Sequence, residues 1–143
     1  MPKDPSTGIT VLSWILRLIA GGIFVMAAMT KLTSQPDAVK IFETLGAEPT
    51  GRFAVGAFEA LAAVLILVPK TKVFGALLAI GLMIGAIGSH ATKLGWSVEL
   101  ADGSKDPSMV IMAFVVLAAA IALGVLHRSE LPLIGSKTHP STP

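Results

Sequence analysis

The sequence predicts an all-α fold: an integral membrane, antiparallel four-helix bundle with a short amphipathic interfacial helix between the first and second spans. Two features of the composition point to the membrane. Hydrophobic residues make up 53% of the 143 residues and charged residues 14%, whereas soluble domains carry roughly 25% charged residues. Residues 18–30, 73–89 and 108–126 contain no charge at all. A small soluble domain must cover a large surface with polar groups, and a disordered chain needs low hydrophobicity, so both classes are excluded.

The third observation is the length of the apolar segments, because a helix needs about 20 residues to cross the hydrocarbon core. Four segments qualify: residues 11–30, 52–68, 73–90 and 108–126. Each is expected to be helical because the bilayer core offers a backbone amide no partner outside its own segment. We interpret the first as a span rather than a secretory signal peptide, since its apolar run is long, Arg17 interrupts it and no convincing cleavage site follows.

The expected organisation is an N-terminal cytoplasmic segment over residues 1–10, a four-span bundle over residues 11–126 and a flexible C-terminal tail over residues 127–143. Four spans place both termini on one side of the membrane. Basic residues are equally numerous on the two sides, but Lys70 and Lys72 share a turn of only a few residues on the side of the termini. By the positive-inside rule, this density predicts cytoplasmic termini.

A short amphipathic helix is predicted between the first and second spans. Pro36 and Asp37 suit its first turn, and Gly46 suits its end. Apolar residues recur at helical spacing along one side: Ala38, Ile41, Phe42 and Leu45. This helix is too short to cross the bilayer, so it either lies along the interface or caps the bundle.

The loop between the third and fourth spans, residues 92–107, carries two further signals. Trp96 suits an anchor at the membrane interface. The dipeptide Asp102-Gly103 is typical of a tight turn. We therefore expect a turn between Val98 and Lys105.

Small residues are expected where the spans pack, because lipid tails are as apolar as leucine and helices in a bilayer associate through close contact. Gly81, Gly85 and Gly88 form such a stripe on the third span, and Gly56 lies on the second. These residues predict packing within the chain, although the interface of a homo-oligomer could use the same stripes.

Arg17 and Glu59 are informative because a charge near the bilayer centre costs about 2.5–3.5 kcal/mol and is normally partnered. A guanidinium on a long stem can reach a carboxylate on a neighbouring helix, so we expect Arg17 to pair with Glu59. Lys31 follows Arg17 by nearly four helical turns on the same face, and His90 ends the third span. The four residues are predicted to form one intramembrane polar cluster.

Two interpretations of this cluster stay open. The pair of Arg17 and Glu59 can be a structural tie that specifies which helices pack, with Lys31 extending to water. Alternatively, the cluster is a ligand site for a quinone or another lipid-soluble carbonyl compound, and His90 handles protons, as histidine can near neutral pH. No catalytic residue is identified. One histidine and one glutamate fall short of the ligand set of a metal site.

These residues resemble the DoxX family. The resemblance covers about residues 10–126. It rests on the stretch Arg-Leu-Ile-Ala-Gly-Gly-Ile-Phe that begins at Arg17, on Lys31, on Glu59 within Ala-Phe-Glu-Ala, on His90 and on the Asp102-Gly103 loop. It implies a small four-helix protein of the bacterial cytoplasmic (inner) membrane. In some relatives it implies a subunit of thiosulfate:quinone oxidoreductase, and in others a link to membrane-associated oxidoreductase or thiol-stress complexes.

The functional hypothesis is an accessory subunit, without activity on its own, of a quinone-linked oxidoreductase complex. Quinone is the candidate cofactor, and no covalently bound cofactor is expected. The expected partners are the lipid bilayer and another protein, since the sequence contains no cysteine and any thiol chemistry would come from elsewhere. A homo-oligomer is an alternative assembly, and a net charge of only +2 gives no reason to expect nucleic acid. The alternative functions are a structural module without a ligand and, with less support, a small-molecule transporter.

Overall fold

The structure of the protein, a computed structural model, describes residues 6–131. It contains five α-helices: α1 (Thr7–Leu32), α2 (Pro36–Leu45), α3 (Thr50–Leu67), α4 (Lys72–Ser89) and α5 (Ser108–Leu126). The shorter elements are a π-helical turn, two strands and a 3-10 turn: His90–Leu94, β1 (Val98–Glu99), β2 (Lys105–Asp106) and Arg128–Glu130. The described part of the chain is mostly helical, as predicted.

Each predicted span corresponds to a long apolar helix. By length and composition, α1, α3, α4 with its π-helical turn, and α5 are able to cross a membrane. α1 begins at Thr7, ahead of the predicted span, because the Ser6 hydroxyl accepts a hydrogen bond from the Ile9 nitrogen at 3.3 Å and caps the helix. Residues 7–10 therefore belong to α1, and residues 1–5 of the predicted N-terminal segment lie outside the described residues.

The four long helices pack on one another in pairs. α1 contacts α3 and α5, and α4 contacts the same two helices. Their common core consists largely of alanine, whose small side chain allows close approach. The buried alanines of this core are Ala20, Ala62, Ala63, Ala76, Ala79, Ala113, Ala119 and Ala120. We call the end that holds the start of α1 the terminal end, and the end that holds α2 and the strands the loop end.

The outward sides of the long helices carry large apolar side chains. Met26 is 69% exposed, Ile84 60% and Val125 58%. Exposed apolar surface on every side of a protein is unfavourable in water, but not in hydrocarbon. The exposure pattern therefore agrees with a lipid environment around the helices.

α3 and α4 are in close contact near the turn that joins them. A Cβ atom on Gly75 would lie 2.5 Å from the backbone nitrogen of Ile66, so only glycine fits where the two backbones meet. At Gly81, Gly85 and Gly88, a Cβ would meet no described atom within 4 Å. The predicted packing at these three glycines is wrong, because this part of α4 faces open space.

α2 and the strands close the loop end. Three residues of the predicted apolar side of α2, namely Ala38, Ile41 and Phe42, are buried. Ile41 and Phe42 pack with Val98 of β1, and the Asp37 carboxylate accepts a hydrogen bond from the Ala101 nitrogen at 2.9 Å. The protein itself covers the apolar side of α2, as expected for a helix that caps its neighbours.

β1 and β2 pair across the predicted turn. Glu99 is opposite Lys105 in the antiparallel register. Gly103 has a φ of 83°, which favours glycine, and the Asp102 carboxylate accepts a hydrogen bond from the Ser104 nitrogen at 2.9 Å. Hydrogen bonds from the Ser104 hydroxyl and nitrogen lower the pKa of Asp102. The turn at Asp102-Gly103 is confirmed.

Polar contacts around His127 join the helices at the terminal end. Its Nε2 lies 2.8 Å from the Ser13 hydroxyl of α1, and its Nδ1 lies 3.3 Å from the Glu130 carboxylate. The same carboxylate pairs with Lys72 Nζ at 2.9 Å. His127, the first residue of the predicted tail, is thus part of the packed structure, whereas residues 132–143 of that tail lie outside the described residues.

Candidate functional site

Arg17 on α1 binds the C-terminal end of α3. Its Nε donates a hydrogen bond to the carbonyl oxygen of Ile66 at 2.7 Å, and its Nη2 donates to that of Leu67 at 2.5 Å. The guanidinium carbon lies 3.8 Å from the centre of the Trp14 ring, in a cation–π contact. The last carbonyl groups of a helix have no partner within it, so these charge-assisted bonds satisfy the end of α3.

The predicted ion pair between Arg17 and Glu59 is wrong. Glu59 precedes Ile66 by seven residues on α3, which is about 10 Å along the helix axis. A long side chain on a helix leans toward the N-terminus of its own helix. For Arg17 that direction leads to the terminal end, away from Glu59, and the residue joins α1 to α3 there.

Glu59 pairs instead with Lys31, whose Nζ lies 3.0 Å from Glu59 Oε2, and both residues are buried. Lys31 is near the loop end of α1, so the same lean toward the N-terminus carries its ammonium group into the interior. Gly56 allows this approach, because a Cβ there would lie only 3.0 Å from the Cβ of Lys31. Of the two interpretations left open for Lys31, the one in which it extends to water is therefore wrong.

Sequence reasoning missed the structural role of Arg52, which is buried beside this pair. Its Nε donates hydrogen bonds to both carboxylate oxygens of Glu48, at 2.8 and 3.0 Å. Its Nη1 donates to the main-chain carbonyl oxygen of Lys31. Arg52 thus fastens the start of α3 to the end of α1 and holds the backbone of Lys31. The available signal was the spacing of four residues between Glu48 and Arg52.

His90 begins the π-helical turn that continues α4, and it is buried. Its Nδ1 lies 3.0 Å from the carbonyl oxygen of Gly95. A carbonyl oxygen only accepts hydrogen bonds, so Nδ1 carries the proton in this contact. π-helical turns inside α-helices frequently occur at functional sites. Here the turn places the imidazole at the loop end of the interior.

Lys31, Glu59 and His90 line a cavity of about 340 Å³, which we call the main cavity. Its walls come from all five helices, the π-helical turn and β1, and they are apolar except for these three residues and Ser89. The same three residues also line a second cavity of about 110 Å³. Small-molecule sites are concave, mostly apolar and contain a few convergent polar groups, typically in about 300–1,000 Å³. The main cavity has these properties.

The main cavity has glycines on the α4 side of its wall. Gly81 and Gly85 line it and are exposed. No described atom lies within 4 Å of a Cβ placed on either residue. These two positions thus carry no side chain on the cavity wall and have open space beside them.

The structure therefore brings three of the four predicted cluster residues together and leaves the fourth apart. Lys31, Glu59 and His90 share both cavities. Arg17 lines neither of them and instead occupies the end of α3. Chemically, the arrangement offers a buried acid–base pair and an imidazole to a ligand in apolar surroundings.

Comparison with known families gives a match that covers most of the chain. A family model described as the DoxX-like family matches residues 15–125. The chain belongs to the DoxX-like family. No curated protein and no solved structure matches this DoxX-like protein. The family and the four apolar helices together indicate a multi-pass membrane protein.

Proposed function

We propose that this DoxX-like protein is an accessory subunit of a quinone-linked membrane oxidoreductase complex and holds the quinone ring in the main cavity. The observation that carries the proposal is the cavity itself, an apolar space of about 340 Å³ into which Lys31, Glu59 and His90 converge. A ring compound dissolved in lipid fits apolar walls, and its oxygen atoms need a few polar partners. The lack of side chains at Gly81 and Gly85 on the cavity wall, with open space beside them, supports access from the lipid side.

The proposed setting is the bacterial cytoplasmic membrane, with the four long helices as an antiparallel bundle and both termini in the cytoplasm. Lys70 in the turn between α3 and α4 and Lys72 at the start of α4 support this orientation. α2 and Trp96 then lie at the opposite interface, where an exposed indole is favourable.

The subunit assignment follows from the chemistry that this chain carries. Its sequence has no cysteine, so electron transfer through thiols would belong to a protein partner. The apolar outer sides of the helices offer surface to a partner within the bilayer as well as to lipid.

A purely structural module is the main alternative, and one contact argues against it. Arg17 and Arg52 already tie α1 to α3 at both ends of the bundle. The pair of Lys31 and Glu59 is buried beside two cavities. Removing both charges from water is costly, and their mutual attraction offsets little of that cost, so the pair is a poor choice if its role is only to hold the helices together. A ligand that bonds to the pair would offset this cost.

A substitution that fills the main cavity tests the ligand site. Gly85→Leu places a large side chain on the cavity wall, and we expect it to lower the affinity for a short-chain benzoquinone at least tenfold. Gly22→Leu is the matched control, because Gly22 is also an exposed helical glycine with no described atom within 4 Å of its Cβ position and lines neither cavity. Equilibrium binding to the purified protein in mild detergent measures both effects. Equal affinities for the two variants would contradict the proposed site.

Purification tests the assignment as a subunit. The tagged chain, extracted in mild detergent, is expected to bring down an oxidoreductase that reduces quinone. A single species free of other proteins and of bound quinone is the result that counts against an accessory subunit.

A further inference from the structure

We propose that the main cavity prefers the reduced, hydroxyl-bearing form of its ring compound over the oxidised carbonyl form. This preference rests on the proposed quinone site and specifies which redox state that site selects. It follows from the hydrogen-bonding capacity left over on the four polar side chains that line the cavity, which are Lys31, Glu59, Ser89 and His90.

Glu59 supplies the first free acceptor. Its Oε2 is fully covered, and its ion-pair partner Lys31 Nζ lies 3.0 Å away. A carboxylate that is paired with an ammonium group can only accept hydrogen bonds, and it has about four lone-pair sites for them. Among the described residues no second donor reaches Oε2. A buried carboxylate with unused lone pairs is unfavourable, so a ligand that donates to Glu59 gains affinity.

His90 supplies the second acceptor. Its Nδ1–H is used by the carbonyl oxygen of Gly95. In the neutral ring, Nε2 therefore carries a lone pair and no proton. The contacts of the described residues give that nitrogen no donor, and the ring lines both cavities.

The two remaining polar side chains leave one free donor between them. The Ser89 hydroxyl donates to the carbonyl oxygen of Gly85 at 3.0 Å, so its oxygen faces further partners as an acceptor. The Lys31 ammonium group is directed at Glu59 and at the carbonyl oxygen of Ala27, 3.5 Å away, which leaves one of its three N–H donors. The polar lining thus offers more acceptors than free donors.

A quinone carries only acceptors, whereas a hydroquinone carries two hydroxyl donors. The hydroquinone can donate to the acceptors of the lining and also accept from Lys31, whereas the quinone can use only the Lys31 donor and leaves the acceptors unpaired. Tighter binding of the reduced form also makes the bound compound easier to reduce than the free one, by linkage.

The test compares three ligands on the full-length protein in mild detergent without oxygen. They are a short-chain hydroquinone, the corresponding quinone and the dimethyl ether of the hydroquinone, which keeps the ring but has no donor. We expect the hydroquinone to bind at least about tenfold more tightly than the other two, as for a hydrogen bond to a charged group. Equal or tighter binding of the quinone would overturn this preference and leave the quinone site standing. Binding of none of the three would overturn the proposed site as well.

Two variants test whether Glu59 produces the preference for the hydroquinone. Glu59→Gln replaces a pure acceptor with an amide that can also donate, and we expect the hydroquinone and quinone affinities to approach one another. Glu43→Gln makes the same change on an exposed carboxylate of α2 that does not line the cavity, and the wild-type ratio is expected there. A wild-type ratio in folded Glu59→Gln would exclude Glu59 as the selecting group. If that variant does not fold, the three-ligand comparison on the wild-type chain decides the proposal.

Discussion

At the scale of the residue, one rule of side-chain geometry explains how the intramembrane charges are partnered. Arg17 and Lys31 share a face of α1, and both side chains lean toward the N-terminus of that helix. In this direction the Arg17 side chain reaches the carbonyl groups at the end of α3, and the Lys31 side chain reaches Glu59 in the interior. Spacing placed the two cations on one face correctly. The direction of the side chains decided which of them met the carboxylate.

Replacing Arg17 tests its separation from the ligand site. Arg17→Met keeps an apolar stem but removes both hydrogen bonds to the end of α3, and we expect it to lower the free energy of unfolding by about 1–3 kcal/mol. The affinity of the folded variant for a benzoquinone is expected to stay at the wild-type value, because Arg17 lines neither cavity. Thermal unfolding in detergent and equilibrium binding measure the two quantities. Lost affinity at unchanged stability would place Arg17 in the site after all.

At the scale of the element, α4 packs tightly against α3 near its start and lines the main cavity farther along. The contact at Gly75 brings the two backbones together next to the short turn that joins them. Farther along α4, Gly81 and Gly85 face open space and form part of the wall of the main cavity. The same residue type therefore serves packing in one half of α4 and lines the main cavity in the other, a difference that glycine spacing does not reveal.

Alanine substitutions at glycines of α4 distinguish the two roles. Gly75→Ala introduces a Cβ that would lie 2.5 Å from a backbone nitrogen of α3, so the helices must separate. We expect a loss of about 1–3 kcal/mol in the free energy of unfolding. Gly81→Ala is the control, because its Cβ meets no described atom within 4 Å and alanine favours the helix by up to about 1 kcal/mol. Thermal midpoints that rank Gly75→Ala at or above Gly81→Ala would contradict the close contact.

At the scale of the whole molecule, polar contacts close the terminal end and an apolar cluster closes the loop end. The terminal contacts link α1 to α5 through Ser13 and His127, and the end of α5 to α4 through Glu130 and Lys72. The loop end is closed by α2 and the strands, around Phe42 and its neighbours. The cavities lie toward the loop end, so the polar closure at the other end is separate from the proposed ligand site.

The closure at the terminal end makes stability depend on pH. Burial lowers the pKa of His127 below its ordinary value of 6.5, and the positive charge of Lys72 lowers it further against the opposing effect of Glu130. The unfolded chain therefore takes up a proton before the folded chain does. The stability that depends on neutral His127 is complete above about pH 6.5 and is lost as the pH falls from there through the folded-state pKa.

Comparison with a variant isolates this effect from other titrations. His127→Gln keeps a polar side chain at the Ser13 contact but does not titrate. Thermal midpoints of the wild-type and variant proteins between pH 7.5 and 5 are expected to converge as the pH falls, because only the wild type loses the contribution of neutral His127. A constant difference between the two midpoints over that range would show that protonation of His127 does not contribute to the pH dependence of stability.

The sequence was sufficient for the four apolar helices, the short helix α2, the turn at Asp102-Gly103 and the family. These features depend on composition, on the length of apolar runs and on spacing within one segment, all of which can be counted along the chain. The sequence also singled out Lys31, Glu59 and His90 together with Arg17, since charged and titratable groups in apolar segments are rare. Their mutual contacts, the separate place of Arg17 and the cavity beside α4 required coordinates. These features depend on how far apart two helices lie and on where each side chain points. Both are determined by contacts between residues that are distant in sequence.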